Sequence, residues 1–213
     1  MNFIGVVFAR GNSQGIKNKN ILKLDKKSSL VEHAIKQAYQ TKLLKKVFIS
    51  SDSAKIIAAA KKQKALVPFI RPKKLATNNS PEIFAWRHFI KYLHKNKIFP
   101  DYIVSVPTTS PLRKPSDIVK CINLAKKNKH DFICVVTKSS KNPYFNLLYK
   151  DKKKISLFKY KNKKFFRRQD APKFFELTGV CFIFKPDYVL KNKNLFSGKV
   201  GYIEVPRERS LDI

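Results

Sequence analysis

Short apolar runs alternate along the chain with longer segments in which apolar residues recur every three to four positions. A short apolar run is typical of a buried strand, and the wider spacing is typical of a helix that buries one face. Strands that alternate with helices in this way favour βαβ units and a mainly parallel sheet. The pattern therefore predicts the α/β class.

The boundaries of these elements follow from the pattern and from capping residues. The predicted strands are 3–9, 47–50, 67–70, 102–106, 132–136, 179–184 and 200–205. Helices are predicted to begin at Ser28 or Ser29, Ser53, Pro81 and Ser116, because serine is a good N-cap and proline suits a first turn. Asp52 is expected to cap the helix that follows it. The proline within 67–70 places that strand at a sheet edge.

The alternation of apolar runs with helical segments changes from about residue 143. Two short segments, 144–149 and 155–160, are separated by turns rich in Lys, Asp and Asn. This pattern predicts an antiparallel excursion from the main sheet over about 143–170. The length of 213 residues fits one domain with such an appendage, so we expect a single domain over 1–213.

The loop after the first predicted strand is both basic and glycine-containing. Residues 9–20 include Arg10, Gly11, Gly15 and Lys19. Backbone N–H groups and cations together suit a polyphosphate, and glycines at positive φ would let the backbone approach an anion. The glycine spacing matches neither of the common phosphate-loop motifs. An ordinary basic connection between a strand and a helix therefore stays open at this point.

The formal net charge of +32 raises the question of nucleic-acid binding. Only 8 of the 46 basic residues are arginine, and the lysines are spread over nearly every segment. Nucleic-acid surfaces favour arginine for bidentate contacts and belong to recognisable modules, which the sequence lacks. We therefore expect a solvated lysine surface that attracts an anionic substrate, with no nucleic-acid partner.

The cysteines and the N-terminus indicate the cellular compartment of the protein. Cys121, Cys134 and Cys181 lie far apart without a paired spacing, which predicts reduced core residues. The chain has no long apolar segment and no signal-peptide pattern at its start, so we expect a cytoplasmic protein without a membrane partner.

Polar and basic residues follow several predicted strands. In an open α/β sheet, ligands bind beyond the carboxyl ends of the strands, so these residues form one set. The set comprises 10–20, Arg71, 78–80, 107–113, 167–170 and 206–213. Its hydroxyls, amides and arginines predict a nucleotide site.

These residues also form motifs whose order and spacing resemble a known family over nearly the whole chain. The motifs are 9–11 with 19–21, Arg71-Pro72 with Leu75-Ala76, 110–113, Arg168-Gln169 and 210–213. Together they resemble the N-acylneuraminate cytidylyltransferases, of the CMP-sialic or CMP-legionaminic acid type. The first loop is similar to the acylneuraminate and legionaminate enzymes rather than to those for the eight-carbon acid Kdo.

The resemblance implies a Rossmann-like three-layer nucleotidyltransferase fold with a mainly parallel sheet, whose small antiparallel excursion mediates a homodimer. It implies transfer of CMP from CTP to the anomeric hydroxyl of a nonulosonic acid, an acidic keto-sugar, with release of pyrophosphate. The cofactor that it implies is Mg²⁺.

The resemblance also implies roles for individual residues. The catalytic residues would be Arg10, Lys19 and Arg168. The nucleotide would contact Arg10, Gly11, Asn12, Ser13, Lys19, Asn20, Arg71 and Ser80, and the sugar would contact Thr108, Arg168 and Gln169. Asp212 would be the metal ligand, since Mg²⁺ takes oxygen ligands.

The sequence departs from the family pattern at some positions. The family has a second aspartate two residues after the position of Asp212, whereas the given sequence stops at Ile213. Either the sequence is truncated or one carboxylate holds the metal with water and phosphates. Thr178 stands where asparagine is usual, and Glu82 where relatives often have another polar residue. The alternatives are a CMP-Kdo or CMP-pseudaminate synthetase, a nucleotide-binding relative with impaired catalysis, and a basic nucleic-acid-binding protein.

Overall fold

The computed structural model describes residues 1–13, 15–24, 28–152, 154–158 and 165–213. The strands are β1 (Phe3–Phe8), β2 (Val47–Ser50), β3 (Tyr102–Ser105), β4 (Phe132–Lys138), β5 (Leu148–Asp151), β6 (Lys154–Leu157), β7 (Phe175–Phe184) and β8 (Val200–Glu204). The α-helices are α1 (Leu30–Gln40), α2 (Ala54–Lys62), α3 (Glu82–Lys95), α4 (Pro115–Asn128) and α5 (Pro186–Lys191).

Six of the strands form one sheet in the order β2-β1-β3-β7-β4-β8. Strand β7 is antiparallel to β3 and β4, and the other neighbours in the sheet are parallel. Helices α1, α2 and α4 pack on one face of the sheet, and α3 and α5 pack on the other. The chain therefore has the predicted three-layer α/β fold with a mainly parallel sheet.

Two predictions of strands differ from the structure. Residues 67–70 form no strand, and the chain there makes only single bridges, from Leu66 to Phe48 and from Ile70 to Ser51. Pro68 has no N–H to donate, which breaks a regular ladder at this edge. Strand β7 begins at Phe175 rather than at residue 179, since its first residues also pair with β4. These residues are exposed and carry no continuous apolar pattern, so the sequence did not predict them as strand.

The starts of α1 and α2 agree with the predicted serines, whereas α4 begins at Pro115, one residue before the predicted Ser116. Ser29 is the N-cap of α1, and the Glu32 carboxylate accepts hydrogen bonds from the Ser29 N–H at 2.8 Å and the Ser29 hydroxyl at 2.6 Å. Burial alone would raise the pKa of Glu32, but these two bonds, a hydrogen bond from Gln63 and the charge of Lys36 together outweigh it and lower the pKa. Ser53 is the N-cap of α2, with its Oγ accepting from the Ile56 N–H at 3.5 Å.

The predicted excursion is present as the β5–β6 hairpin, which is a separate two-stranded antiparallel sheet. The predicted segment 155–160 runs past Phe158 into residues outside the described part of the chain. The hairpin and the chain after it expose large apolar side chains, namely Leu148, Ile155, Leu157, Phe158 and Phe166.

The cysteines and helix lengths complete the comparison. Cys121, Cys134 and Cys181 are buried and not in disulfides, as predicted. In the part of the chain that the structure describes, every helix is too short or too polar to cross a membrane.

Candidate active site

The candidate site lies at the carboxyl ends of β1 and β3. Strand β1 lies between β2 and β3, so the chain leaves β1 toward one neighbour and later returns to the other side. The loops after β1 and β3 therefore run in opposite directions and leave a crevice between them. A crevice of this kind, at a topological switch point of the sheet, is the usual ligand site of an open α/β sheet. A cavity of about 330 Å³ opens there. Six of the predicted site residues line it: Arg10, Ser13, Lys19, Arg71, Ser80 and Thr108.

Arg10 and Lys19 supply two of the cations in this cavity. The Arg10 Nη1 donates to the Thr77 carbonyl at 3.0 Å, and the Lys19 Nζ donates to the Ile213 main-chain oxygen. Both side chains are half-buried. Glu82 is the one carboxylate among the described residues that line the cavity, so its lining carries a net positive charge suited to an anion.

Arg71 is the third cation and is almost fully buried. Its Nε donates to the Ser50 Oγ at 3.1 Å, its Nη2 donates to the Ser50 carbonyl, and its guanidinium lies 5.7 Å from the centre of the Phe8 ring. Burial lowers the pKa of Arg71 to about 10, while Asp52 and Glu82 oppose that shift. The guanidinium therefore stays charged at neutral pH and is held rigidly at the cavity wall.

Asn20 and Thr108 join the two loops that flank the cavity. The Asn20 Nδ2 donates to the Arg10 carbonyl at 2.9 Å, and the Thr108 hydroxyl donates to the Asn20 Oδ1 at 2.6 Å. Both residues are buried, and Asn20 does not line the cavity. In this structure the Asn20 amide holds the loops together, and its predicted contact with the nucleotide stays a prediction.

Gly11 differs from expectation in its conformation. Neither Gly11 nor Gly15 has a positive φ, and among the described residues of the loop the left-handed one is Asn18, at φ 58°. The expected positive φ at these glycines is therefore wrong. Gly11 instead allows the loop to lie close to the start of α2, because a Cβ at this position would lie 2.9 Å from the Ser53 Cβ.

The Gly11 N–H also has a partner that was not predicted. It donates to the Asp52 Oδ1 at 2.8 Å, so the main chain of the loop is fastened to the start of α2. Because Ser53 is the cap of α2, the expectation that Asp52 caps this helix is wrong.

Arg168 and Gln169 lie apart from this cavity. They are exposed on a short 3₁₀ helix, Arg168–Asp170, and line a second cavity of about 540 Å³. Among the described residues, the two cavities share no lining residue. Asn12 is exposed and lies outside both. Within one chain, the structure does not bring the predicted sugar-binding pair to Arg10 and Lys19.

The C-terminal segment places Asp212 beside the loop after β3. The Ile213 N–H donates to the Thr109 carbonyl at 3.0 Å. A Cβ added to Gly179 would lie 3.0 Å from the Ser110 Oγ and 3.4 Å from the Asp212 Oδ1, so these two oxygens flank the same glycine. The Ser110 Oγ is buried and has no hydrogen-bond partner among the described residues.

The oxygens of Ser110 and Asp212 are the atoms to compare with the predicted Mg²⁺ site. No group of three or more His, Cys, Asp or Glu residues in the described ranges is placed to hold an ion. Mg²⁺ commonly takes only one or two carboxylates and completes its shell with water and substrate phosphates. Asp212, next to an unpartnered hydroxyl, fits that kind of site.

The loop after β3 is held by a buried arginine. Arg113 is fully buried and donates to two carbonyls, that of Val180 at 2.7 Å and that of Pro107. Burial lowers the pKa of Arg113 to about 10. The nearby Asp117 forms its ion pair with Arg209, at 3.2 Å.

Helix α1 supports the same loop through side chains that the sequence analysis missed. The Gln37 Nε2 donates to the Pro111 carbonyl at 3.1 Å and to the Arg113 carbonyl at 2.7 Å, and the His33 Nε2 lies 3.0 Å from the Pro111 carbonyl. Both residues come more than 70 positions before the loop, so no local pattern could have indicated these contacts.

A comparison with known protein families identifies the family of the chain. The model of the family described as "Cytidylyltransferase" matches residues 4–197. The chain belongs to the cytidylyltransferase family. It is therefore a nucleotidyltransferase, as the motifs predicted, and Arg10, Lys19 and Arg71 all lie within the matched part.

Relatives in this family are similar to the chain over nearly all of its length. The CMP-N,N'-diacetyllegionaminic acid synthase of Campylobacter jejuni is 32% identical over 208 residues, which are 97% of this chain and 87% of the relative. The post-translational flagellin modification protein B of Campylobacter coli is 31% identical, with the same two coverages.

A solved structure shows the same fold. A CMP:2-keto-3-deoxy-manno-octonic acid synthetase complexed with CTP superimposes with a TM-score of 0.70, over 97% of this chain and 90% of that one. The sequence identity is 12%, so this likeness concerns the fold alone.

Proposed function

We propose that this cytidylyltransferase transfers CMP from CTP to the anomeric hydroxyl of a nonulosonic acid of the legionaminate or N-acylneuraminate type. The observation that carries the proposal is the cluster of Arg10, Lys19 and Arg71 around one cavity at the switch point of the sheet. The likeness to a CMP-legionaminic acid synthase supports the class of sugar acid. The proposal takes 1–213 as one domain, acting in the cytoplasm.

The proposed reaction is a substitution at the α-phosphorus of CTP. The anomeric oxygen bonds to that phosphorus, the bond to the bridging oxygen breaks, and pyrophosphate leaves. Negative charge grows on the leaving pyrophosphate, and positioned cations stabilise it. Arg10 and Lys19 are the cations proposed for this role. No histidine lines the cavity among the described residues, so we assign the released hydroxyl proton to the phosphates.

The nucleoside half of CTP is proposed to lie against Arg71. A guanidinium donates to carbonyl and ring-nitrogen acceptors, which cytosine presents at one edge. Ser80 lies in the same cavity and offers a hydroxyl. Ser13, Gly11 and Asn12 belong to the loop beside the triphosphate, while Thr108 and Asn20 keep that loop in place.

The cofactor of the proposal is Mg²⁺, held by Asp212 together with water and the substrate phosphates. When bound, it supplies positive charge to the triphosphate. The charge of Asp212 is one of those that oppose the lowering of the Arg113 pKa by burial, so the carboxylate and the guanidinium lie near each other.

Asp212→Asn tests this assignment. We expect about a tenfold higher Mg²⁺ concentration for half-maximal pyrophosphate release, because the variant keeps the size of the side chain but loses its charge. The measurement is a Mg²⁺ titration of turnover, together with calorimetry of Mg²⁺ binding to the CTP complex. Asp187→Asn is the control, since Asp187 lies on α5 away from the site. An unchanged Mg²⁺ requirement would remove Asp212 from the metal site.

The sugar acid is proposed to place its carboxylate on Arg168, whose guanidinium suits bidentate binding, with Gln169 beside it. Because one chain keeps these residues in a separate cavity, we propose a homodimer as the arrangement that completes the site. The exposed apolar side chains of the described hairpin residues, together with Phe166, support the excursion as the dimer contact.

Ile155→Lys tests the dimer. Ile155 is 65% exposed on the hairpin, so a lysine there is tolerated by the fold but is unfavourable in an apolar contact. We expect sedimentation of the wild type as a dimer and at least a tenfold weaker self-association of the variant. Ile70→Lys, at a 71% exposed position outside the hairpin, serves as the control. A wild type that sediments as a monomer contradicts the proposal.

The decisive experiment for the function is pyrophosphate release with CTP, Mg²⁺ and a panel of neuraminate, legionaminate, pseudaminate and Kdo. We expect turnover with legionaminate or neuraminate. Turnover only with pseudaminate or Kdo would change the substrate. A CTP-dependent thermal shift without turnover would identify a nucleotide-binding relative, and polyanion binding without that shift would favour the nucleic-acid alternative.

A further inference from the structure

Asp52 lies between β2 and α2, where its carboxylate reaches back to the loop after β1. Its Oδ1 accepts the Gly11 N–H at 2.8 Å, across 41 positions of sequence. A hydrogen bond with an ionised acceptor is about twice as strong as one between neutral groups. Asp52 therefore provides a strong tether for the main chain of the loop.

The contact between Asp52 and the Gly11 N–H is distinct from the capping of α2. The cap interaction of α2 is made by Ser53, whose Oγ accepts from the Ile56 N–H. Asp52 does not make the cap interaction of α2, and its carboxylate accepts from the loop instead. The two neighbouring residues perform two different tasks, which makes them separable by substitution.

The tether acts on the peptide that carries Arg10. The N–H of that peptide, which belongs to Gly11, donates to the Asp52 carboxylate, and its carbonyl accepts from the Asn20 Nδ2 at 2.9 Å. Both polar atoms of the Arg10–Gly11 peptide are therefore fixed by side chains of the protein. The orientation of the peptide sets where the Arg10 side chain enters the cavity.

Gly11 supports the same conclusion from packing. A Cβ at residue 11 would lie 2.9 Å from the Ser53 Cβ and 3.4 Å from the Asp52 Oδ2, so the loop is seated directly on the start of α2. The charge of Asp52 also acts on Arg71, whose pKa it raises against the effect of burial. Asp52 thus holds the main chain of the loop and favours the charged form of Arg71.

We propose that Asp52 is a positioning residue for nucleotide binding, which orients Arg10 toward the triphosphate through the Gly11 peptide. It acts without touching the substrate. The role rests on the proposed function only in requiring that the chain bind CTP, and it does not depend on which sugar acid is used.

The experiment compares Asp52→Ala, Asp52→Asn and Ser53→Ala with the wild type. CTP binding is measured by calorimetry in the presence of Mg²⁺, and stability by thermal unfolding. We expect Asp52→Ala to weaken CTP binding about tenfold, and Asp52→Asn, whose amide oxygen still accepts the Gly11 N–H, to recover most of that loss. Ser53→Ala should lower the unfolding midpoint while CTP affinity stays within twofold, since it removes only the helix cap.

The outcomes distinguish the role of Asp52 from the function itself. If Asp52→Ala binds CTP as tightly as the wild type does, the positioning role of Asp52 is overturned. Equal losses of CTP affinity in Asp52→Ala and Ser53→Ala would also overturn it. If Asp52→Ala does not fold, the test uses Asp52→Asn. A loss of CTP affinity in Asp52→Asn as large as the loss in Arg10→Gln would overturn the role of the hydrogen bond. A wild type that binds no CTP would overturn the proposed function and this role together.

Discussion

Replacing Arg10 with glutamine is expected to lower the rate of pyrophosphate release by about 10²–10³-fold, the range seen when one preorganised donor to a developing charge is removed. Arg10 lines the cavity, its Nη1 is oriented by the Thr77 carbonyl at 3.0 Å, and its main chain is held on both sides. The positive charge is therefore fixed before the reaction begins. The measurement is steady-state turnover with saturating CTP and sugar acid.

Two further variants make this result interpretable. Lys17→Gln removes an exposed cation from the same loop, outside the cavity, and should leave turnover within threefold of the wild type. Arg10→Lys keeps the charge but loses the planar fork, so an intermediate rate is expected. Turnover of Arg10→Gln within threefold of the wild type would contradict the proposed role of Arg10.

The largest expected effect on stability comes from Arg113→Leu, which should lower the free energy of unfolding by about 2–4 kcal/mol. The variant leaves the buried carbonyls of Pro107 and Val180 without their donors, at a cost of about 1–3 kcal/mol for each unsatisfied group. The apolar leucine recovers part of that cost. Urea denaturation followed by circular dichroism measures the change.

The same variant is expected to weaken CTP binding in the folded protein, because Arg113 connects the loop carrying Thr108 to β7. Arg207→Leu is the matched control, since Arg207 is exposed and an exposed substitution usually changes stability by less than about 0.5 kcal/mol. If Arg113→Leu were as stable as Arg207→Leu, the two carbonyl contacts would not be what holds this loop.

Much of the fold follows from local patterns. The apolar runs located five of the six strands of the main sheet to within about two residues, because a parallel sheet covered on both faces needs continuous apolar strands. The exception is β7, whose first residues are exposed, so its start carries no apolar run. The antiparallel direction of β7 between β3 and β4 also has no local signal, since it depends on pairings between distant residues.

The candidate site shows the same division. The positions of Arg10, Lys19 and Arg71 after predicted strands were sufficient to expect a shared anion site, because the carboxyl ends of parallel strands meet at one edge. The partners of these residues were not predictable. Asp52 looked like a helix cap in sequence, and only the folded chain places its carboxylate on the Gly11 N–H.

By itself, the sequence determined the layered α/β class, the buried cysteines and a set of cations beyond the carboxyl ends of the strands. Each of these depends on residue type, on local periodicity or on the order of strands, all of which can be read along the chain. Only the tertiary structure decided which polar groups hold the loops and that Arg168 lies in a cavity of its own. Those facts depend on distances between residues far apart in sequence, which become defined when the sheet assembles.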